Sequence, residues 1–262
     1  MRRNLRLFFV GGLLSYRALF NWIRPGIYIT TMLGSPLFQI LFFAYLGRYS
    51  GLRDDTYFVV GNAVQISSMA GIYAMTLTIA NERNYGTLSP ILATPANRVA
   101  LFLGRAIPVI ANGLFVSAFG FGVGLLLLDF TLEVNQLPAL SAVVTVTVFA
   151  CTGFGMLLGS FGLAARDVFF FSNLFYFLML LCCGVNIPLD ALPGWLEAIG
   201  RALPLTHGIE AAREIVGGAT LADVSALVWT EAAVGAAYTA LAFGLFRWLE
   251  ALSRRRAALD TF

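Results

Sequence analysis

The chain has 262 residues, of which 59% are hydrophobic and 12% are charged; because soluble domains carry about 25% charged residues, much of the surface is expected to face lipid. The net charge of +3 is too small an excess to indicate nucleic-acid binding. All 17 basic residues are arginine, so a phosphate-binding loop of the form GxxxxGK(S/T) is impossible within these residues, and ATP hydrolysis of that type is expected on another chain.

Residues 1–26 predict an amphipathic interfacial helix rather than a signal peptide. Arg17 and Arg24 interrupt the apolar run, and no small-residue cleavage site follows them. On a helix these arginines lie on the same side as Arg6, while apolar side chains gather on another arc. This pattern is typical of a basic helix lying in the lipid headgroup region.

Six hydrophobic runs are each long enough to be a transmembrane helix, because about 20 apolar residues cross the hydrocarbon core. They predict an all-α polytopic membrane protein with one transmembrane domain over 1–262. The link 164–167 is so short that the fourth and fifth spans should form a tight hairpin. The predicted spans are 27–46, 57–80, 99–128, 138–163, 168–185 and 224–248.

Residues 82–98, between the second and third spans, form a charged interruption punctuated by glycine and proline. Thr87 and Thr94 are candidate helix N-caps, and Pro95 fits the first turn of the helix that follows. Apolar residues at helical spacing give one face of a short amphipathic helix; an ordinary loop helix is the alternative. The apolar positions are Leu88, Ile91 and Leu92.

The placement of the arginines predicts the orientation. With the N-terminus inside, 13 of the 17 arginines fall in inner segments and only 4 in outer segments. Cytoplasmic loops of membrane proteins carry the excess of basic residues, so both termini and residues 82–98 are predicted to be cytoplasmic. The segment between the fifth and sixth spans is then external.

This external segment, 187–218, predicts two short helices with apolar faces. Each is too short to span, so a hairpin dipping into the outer leaflet is expected. Trp195, His207, Glu210 and Arg213 are candidates for an external gate; a solvated helix face with weak ion pairs is the alternative. No metal site is expected, since His207 has no Cys, Asp or second His at ligand spacing.

No charged residue lies near the middle of a predicted span to indicate an ion relay. Glu231, near the outer end of the sixth span, is expected either to pair with the hairpin or to reach water. Polar and aromatic side chains within the spans are therefore candidates for a pathway suited to an apolar or amphiphilic substrate; helix packing and lipid contact are the alternative for each. The candidates are Gln65, Asn112, Phe115, Phe119 and Asn173.

With these motifs the chain resembles the membrane subunits of type-2 ABC exporters, including drug-resistance permeases and lipo-oligosaccharide exporters. The stretch 82–95 resembles the cytoplasmic coupling-helix motif of that family, and 187–213 resembles its external re-entrant hairpin. Ser89-Pro90 departs from the acidic and aliphatic pair expected there. The residues that the resemblance implies for ATPase coupling are Glu82, Arg83, Gly86, Thr87, Leu88, Ile91, Leu92, Thr94 and Pro95.

The resemblance implies a transport subunit of a bacterial cytoplasmic membrane, not an enzyme. Its implied partners are a second permease, identical or related, and two ABC ATPase subunits that hold ATP and Mg²⁺; no cofactor is expected on this chain. The implied cargo is a hydrophobic or amphiphilic molecule such as a drug, an antibiotic or a lipid-like compound. A glycan or lipo-oligosaccharide is the alternative. A lipid-modifying enzyme would need converging catalytic side chains, and the spans offer none.

Overall fold

A computed structural model describes residues 29–51, 54–84, 98–161 and 168–256. Within these ranges the secondary structure is helical and contains no strand. The interfacial helix predicted over 1–26 lies outside the described residues. The same holds for most of the predicted coupling segment, including Gly86, Thr87, Leu88, Ile91, Leu92, Thr94 and Pro95.

Eight α-helices follow one another along the described chain. A π-helical turn, Ile29–Gly34, leads into the first, and single 3-10 turns at Val134–Gln136 and Leu189–Ala191 precede the fourth and the sixth. The helices are α1 (Ser35–Ser50), α2 (Asp55–Asn84), α3 (Arg98–Leu127), α4 (Leu137–Phe161), α5 (Val168–Cys182), α6 (Gly194–Ala202), α7 (Thr206–Val216) and α8 (Ser225–Arg256).

Four stretches of the described chain are long and apolar enough to cross a membrane: Asp55–Leu77, Leu103–Leu127, Val134–Phe161 and Ser225–Trp248. They correspond to the second, third, fourth and sixth predicted spans. The apolar stretch of α5, Phe170–Cys182, is shorter. The count of six spans therefore stays a prediction, and the structure supports an all-α protein with four candidate spans among the described residues.

Helices α1 and α5, which correspond to the first and fifth predicted spans, are shorter than predicted for local reasons. Within the first predicted span, 27–46, the π-helical turn ends at Gly34, and α1 begins at Ser35 with Pro36 in its first turn. A proline is tolerated there because the first N–H groups of a helix have no intrahelical partner. At the C-terminal end of α5, the backbone of Gly184 is left-handed with φ of 73°. The helix therefore ends before Val185, the predicted end of the fifth span.

Helix α2 lies at the centre of the bundle and packs against α1, α3, α4, α5 and α7. Small residues allow the closest approaches. A Cβ atom on Gly155 of α4 would lie 2.5 Å from the carbonyl oxygen of Gly71 on α2. A Cβ atom on Gly235 of α8 would lie 2.6 Å from Cα of Ala150 on α4. Backbone-to-backbone contacts of this kind are typical of helices packed within membranes.

One end of the bundle gathers the predicted external segments, and we call it the hairpin end. There Arg48, near the end of α1, pairs with Asp55 at the start of α2 and with Asp129 after α3, the latter contact measuring 2.7 Å. The Asp129 backbone N–H also donates to Asp55. These contacts hold the ends of three helices at one level, the level at which α7 is anchored.

Candidate functional site

Helix α7, the second arm of the predicted hairpin, is part of the core of the bundle. It packs against α2, α4 and α8. A Cβ atom on Gly208 would overlap the hydroxyl oxygen of Thr147 on α4, so the backbone of α7 lies directly against the Thr147 side chain. The arm therefore lies inside the helix bundle rather than over its surface. Its fully buried residues are Thr206, Ile209, Ala211, Ala212 and Ile215.

Glu231 of α8 caps the N-terminus of α7 from the neighbouring helix. The Leu205 N–H donates to Glu231 Oε1 at 2.7 Å, and the Gly208 N–H donates to Oε2 at 3.3 Å. The side chain is 1% exposed, and no side chain of the hairpin itself caps α7. The Thr206 hydroxyl, which could have done so, donates to the Gly200 carbonyl instead. Of the two outcomes expected for Glu231, pairing with the hairpin is the one observed.

Arg213 fixes the other end of α7. Its guanidinium donates to the carbonyls of Gly184 at 2.8 Å, Val185 at 2.9 Å and Tyr57 at 3.1 Å. It also lies over the Tyr57 ring, 3.6 Å from the centroid. A planar guanidinium suits such a site because its donors fan out in fixed directions. Arg213 thereby joins α7 to the start of α2 and to the segment that follows α5.

His207 and Glu210 lie on α7 between these two anchors. His207 Nδ1 is 3.8 Å from Glu210 Oε2, and His207 Nε2 is 3.3 Å from the Arg201 carbonyl oxygen. The Glu210 carboxylate raises the pKa of the His207 imidazole, and His207 in turn lowers the pKa of the Glu210 carboxyl. No group of three metal-ligating side chains occurs among the described residues.

The fourth predicted gate residue, Trp195, lies apart from the other three. It is on α6, the first arm of the hairpin, and is 67% exposed. Its helix packs mainly against α5 and α7 and carries an exposed ion pair between Glu197 and Arg201. The structure thus brings His207, Glu210 and Arg213 onto one buried helix and leaves Trp195 on the outer surface of the hairpin.

A second group of polar side chains lies between α1, α2 and α5, and we call it the polar cluster: Gln39, Asn62, Gln65, Tyr176 and Asn186. Gln39 Nε2 donates to Asn62 Oδ1 at 2.9 Å and to Gln65 Oε1 at 3.3 Å. The Tyr176 hydroxyl donates to Gln39 Oε1 at 2.8 Å, and Asn62 Nδ2 donates to Asn186 Oδ1 at 2.7 Å. Asn62 and Gln65 are fully buried.

Two of the predicted pathway residues belong to this region. Gln65 is in the polar cluster itself, and Asn173 accepts a hydrogen bond from the Tyr73 hydroxyl at 2.8 Å. The rings of Tyr73 and Tyr176 are in edge contact, with centroids 5.9 Å apart. Tyr176 lies in a run of aromatic residues typical of lipid contact, so the sequence pattern does not indicate its place in the polar cluster.

The other three predicted pathway residues lie on α3. Phe115 is 54% exposed, Phe119 packs against the edge of the hydrophobic core, and Asn112 is half-buried. These three residues are not among the five side chains that define the polar cluster. Whether they contact cargo stays a prediction.

A cleft of about 480 Å³ opens between α1 and α5 at the hairpin end. Phe43, Phe58 and Phe177 are among its apolar walls, and Asn186 contributes polar atoms. Asn186 is also the member of the polar cluster that accepts from Asn62. The cleft therefore combines apolar walls with a small number of hydrogen-bonding groups, as sites for apolar or amphiphilic molecules do.

Relatives of the chain were found by sequence. It is 26% identical over 214 residues to an Escherichia coli (strain K12) protein named "Probable multidrug ABC transporter permease YbhR", covering 76% of this chain and 54% of that protein. It is 28% identical over 183 residues to Nodulation protein J of Rhizobium meliloti (strain 1021), covering 68% of each. It is 24% identical over 222 residues to the daunorubicin resistance ABC transporter permease protein DrrB1 of Streptomyces coeruleorubidus, covering 81% of this chain and 77% of that protein.

The bundle of long apolar helices defines the class as an integral membrane protein. The profile of the ABC-2 type transporter family matches residues 12–216, well over half of the chain. The chain belongs to the ABC-2 type transporter family, which confirms the resemblance found in the sequence motifs. Its match spans about half the length of the YbhR relative.

Proposed function

We propose that this chain is a permease subunit of an ATP-driven exporter that moves a hydrophobic or amphiphilic molecule out of the cytoplasm. Membership of the ABC-2 type transporter family over 12–216 carries the proposal. Two relatives are named for multidrug transport and daunorubicin resistance, which supports a drug-like cargo. These 262 residues contain no lysine and so no P-loop, which supports a P-loop ATPase on partner chains.

The proposed partners are two ABC ATPase subunits and a second permease. The lengths of α2 and α3 support an ATPase contact at residues 82–98. Each helix has 30 residues, which is about 45 Å at 1.5 Å per residue, whereas the hydrocarbon core is about 30 Å thick. Since α2 begins at the hairpin end, its far end at Asn84 and the start of α3 at Arg98 extend beyond the opposite face. Both helix ends that flank residues 85–97 then lie in water, where an ATPase can bind.

The proposed cargo contacts are the polar cluster and the adjoining cleft. Their apolar walls favour burial of an apolar body, and the amide and phenol groups offer hydrogen bonds for a polar edge of the molecule. Tyr176 reaches the cluster from α5 and Gln39 reaches it from α1. A relative movement of these helices would therefore change the hydrogen bonds that the cluster can offer to cargo.

Reconstitution with a candidate ABC ATPase tests the proposal. The two chains would be co-expressed, purified together and placed in liposomes, and ATP hydrolysis would be measured with an anthracycline and, separately, with a lipo-oligosaccharide. Stimulation and ATP-dependent transport of the anthracycline are expected. An ATPase whose P-loop lysine is replaced by alanine is the matched control.

Stimulation by the lipo-oligosaccharide alone would replace the drug-like cargo by a glycan. Failure of every candidate ATPase to co-purify or hydrolyse ATP with this chain would overturn the proposed function.

A further inference from the structure

The turn between α6 and α7 contains the only non-glycine residue with positive φ in the described chain. Leu205 has φ of 103° and is completely buried. For a leucine this conformation is strained, and such residues persist only where the surrounding structure holds them. The contact that holds Leu205 in this conformation is the hydrogen bond that its N–H donates to Glu231 Oε1 at 2.7 Å.

The N-terminus of α7 also needs an acceptor. The first N–H groups of a helix have no intrahelical partner, and their dipoles add a partial positive charge. No hairpin side chain caps this terminus, and close packing of Gly208 against Thr147 of α4 leaves little space for another group. Both oxygens of the Glu231 carboxylate accept hydrogen bonds from N–H groups of this terminus. The negative charge of the carboxylate also complements the partial positive charge there.

The exposed tryptophans of α8 indicate how deep in the membrane the contact between Glu231 and α7 lies. Trp229 and Trp248 are 75% and 61% exposed, and 19 residues of helix separate them by about 28 Å. Exposed tryptophans favour the membrane interfaces, whose hydrocarbon core is about 30 Å thick. Glu231 is two residues inward of Trp229, and the Tyr238 hydroxyl, deeper still, donates to the Ala202 carbonyl at 3.1 Å. The turn of the hairpin therefore lies below the interface.

We propose that Glu231 is the positioning residue of the hairpin: its carboxylate, supplied by the last span, is the N-cap that α7 lacks, and it sets the depth at which the hairpin re-enters the membrane. An ionisable side chain within the hydrocarbon region is costly unless it is paired, which makes a purely incidental position unfavourable. The claim that export depends on this depth rests on the proposed function. The claim that Glu231 caps α7 does not.

Hydrogen exchange measured by mass spectrometry on the full chain in lipid nanodiscs tests the contact. Glu231→Ala should raise the exchange rate of residues 203–209 by about tenfold or more, since hydrogen bonds to charged groups contribute about 1.5–3 kcal/mol. Exchange at residues 213–216, beyond the first turns of α7, should stay within twofold of wild type. Glu214→Gln, which changes an exposed glutamate of the same helix, is the matched control and should leave residues 203–209 unchanged.

Glu231→Gln separates the carboxylate from the shape of the side chain and covers the case in which the alanine variant fails to fold. It keeps one acceptor oxygen but presents an amide NH₂ group to the other N–H. Its exchange rate should lie between those of wild type and Glu231→Ala. Equal exchange at residues 203–209 in wild type and Glu231→Gln, or an equal rise in Glu214→Gln, would overturn the proposal.

Export supplies the second measurement. With the partner ATPase in liposomes, Glu231→Gln should lower the maximal transport rate severalfold while co-purification of the ATPase stays at the wild-type level. Raised exchange with wild-type transport would overturn the claim that export depends on hairpin depth. If wild type itself transports nothing while the exchange results hold, the proposed function fails and the capping role stands.

Discussion

The guanidinium carbon of Arg213 lies 3.6 Å from the centre of the Tyr57 ring, and the same guanidinium donates to the Tyr57 carbonyl at 3.1 Å. The Tyr57 hydroxyl in turn donates to the Gly184 carbonyl, which also accepts from Arg213. Arg213 is therefore anchored to the ends of two neighbouring segments at once. Together with Glu231 at the opposite end of α7, it makes the second arm of the hairpin a fixed element of the bundle.

The first prediction concerns this anchor. Arg213→Lys should lower the free energy of unfolding by about 1–3 kcal/mol, because a single ammonium nitrogen would replace the two guanidinium nitrogens that donate to the three carbonyls, and each buried group left unpaired is costly. Thermal unfolding of the purified chain in nanodiscs measures the effect. Arg201→Lys, at an exposed ion pair of α6, should change stability by less than about 1 kcal/mol. Equal stabilities of the two variants would contradict the anchoring role.

The second prediction concerns pH. Glu210 raises the pKa of His207 above its ordinary value of 6.5, so the pair stabilises α7 fully below that value and loses the contribution as pH rises through the raised pKa. On the acid side, the pKa of Glu210 lies below its ordinary value of 4.5, and the contribution is lost as pH falls through that lowered pKa. The difference in stability between wild type and His207→Gln should therefore be largest between these ordinary values.

Thermal unfolding of both proteins over a pH series tests this window. The difference should stay below about 1 kcal/mol, since the Glu210 side chain is 31% exposed and solvent screens the pair. Glu210→Gln should remove the pH dependence of the difference, because it removes the charge that shifts His207. A difference that grows as pH rises above neutrality would mean that the imidazole acts in its neutral form.

Much of this architecture could be predicted from apolar run lengths alone. The fourth span was predicted over 138–163 and is α4, Leu137–Phe161; the segment 187–218 was predicted to hold two short helices and contains α6 and α7. Run lengths report on burial in lipid, so they locate helices well. They do not report where a helix continues past the membrane, and α8 extends to Arg256 because no glycine or proline ends it after 248.

The contacts of the candidate site were harder to predict. Leu205 and Glu231 are 26 positions apart, and Gln39 and Tyr176 are 137 apart. Each pairing exists because the packing of the bundle brings two helices together, and periodicity within one helix contains no information about that. The sequence left open whether Glu231 pairs with the hairpin or reaches water, and which helix terminus it caps depends on the position of α7.

The third prediction concerns helix packing. Gly155→Ala should destabilise the chain by about 1–3 kcal/mol, because the new Cβ atom would lie 2.5 Å from the Gly71 carbonyl oxygen and the two backbones would have to separate. Gly244→Ala is the matched control: its Cβ atom would meet nothing within 4 Å, so it should be neutral or slightly stabilising. Thermal unfolding in nanodiscs compares the two, and similar losses would rule out close α2–α4 packing as the cause.

The fourth prediction concerns ATPase coupling and topology. Leu88→Asp combined with Leu92→Asp places charge on the apolar face predicted for 82–98. If that face fills a groove on the ATPase, each lost leucine contact should cost about 2–5 kcal/mol. Co-purification of the ATPase should fail while membrane insertion stays normal; Leu88→Met with Leu92→Met is the control.

In intact cells, a cysteine at Asn84 should resist an impermeant thiol reagent and one at Asp190 should react. Labelling at Asn84 would reverse the predicted orientation.

The last prediction concerns cargo. Tyr176→Phe removes the hydroxyl that donates to Gln39 Oε1 at 2.8 Å, and with it the hydrogen bond that joins α5 to α1 within the polar cluster. If cargo binds there, the anthracycline concentration that half-maximally stimulates ATP hydrolysis should change several-fold, while ATP hydrolysis without cargo stays constant. Tyr49→Phe, at an exposed tyrosine of α1 outside the cluster, should behave as wild type. An unchanged concentration dependence in Tyr176→Phe would assign the polar cluster to helix packing, and the α3 residues Asn112, Phe115 and Phe119 would then be the next positions to substitute.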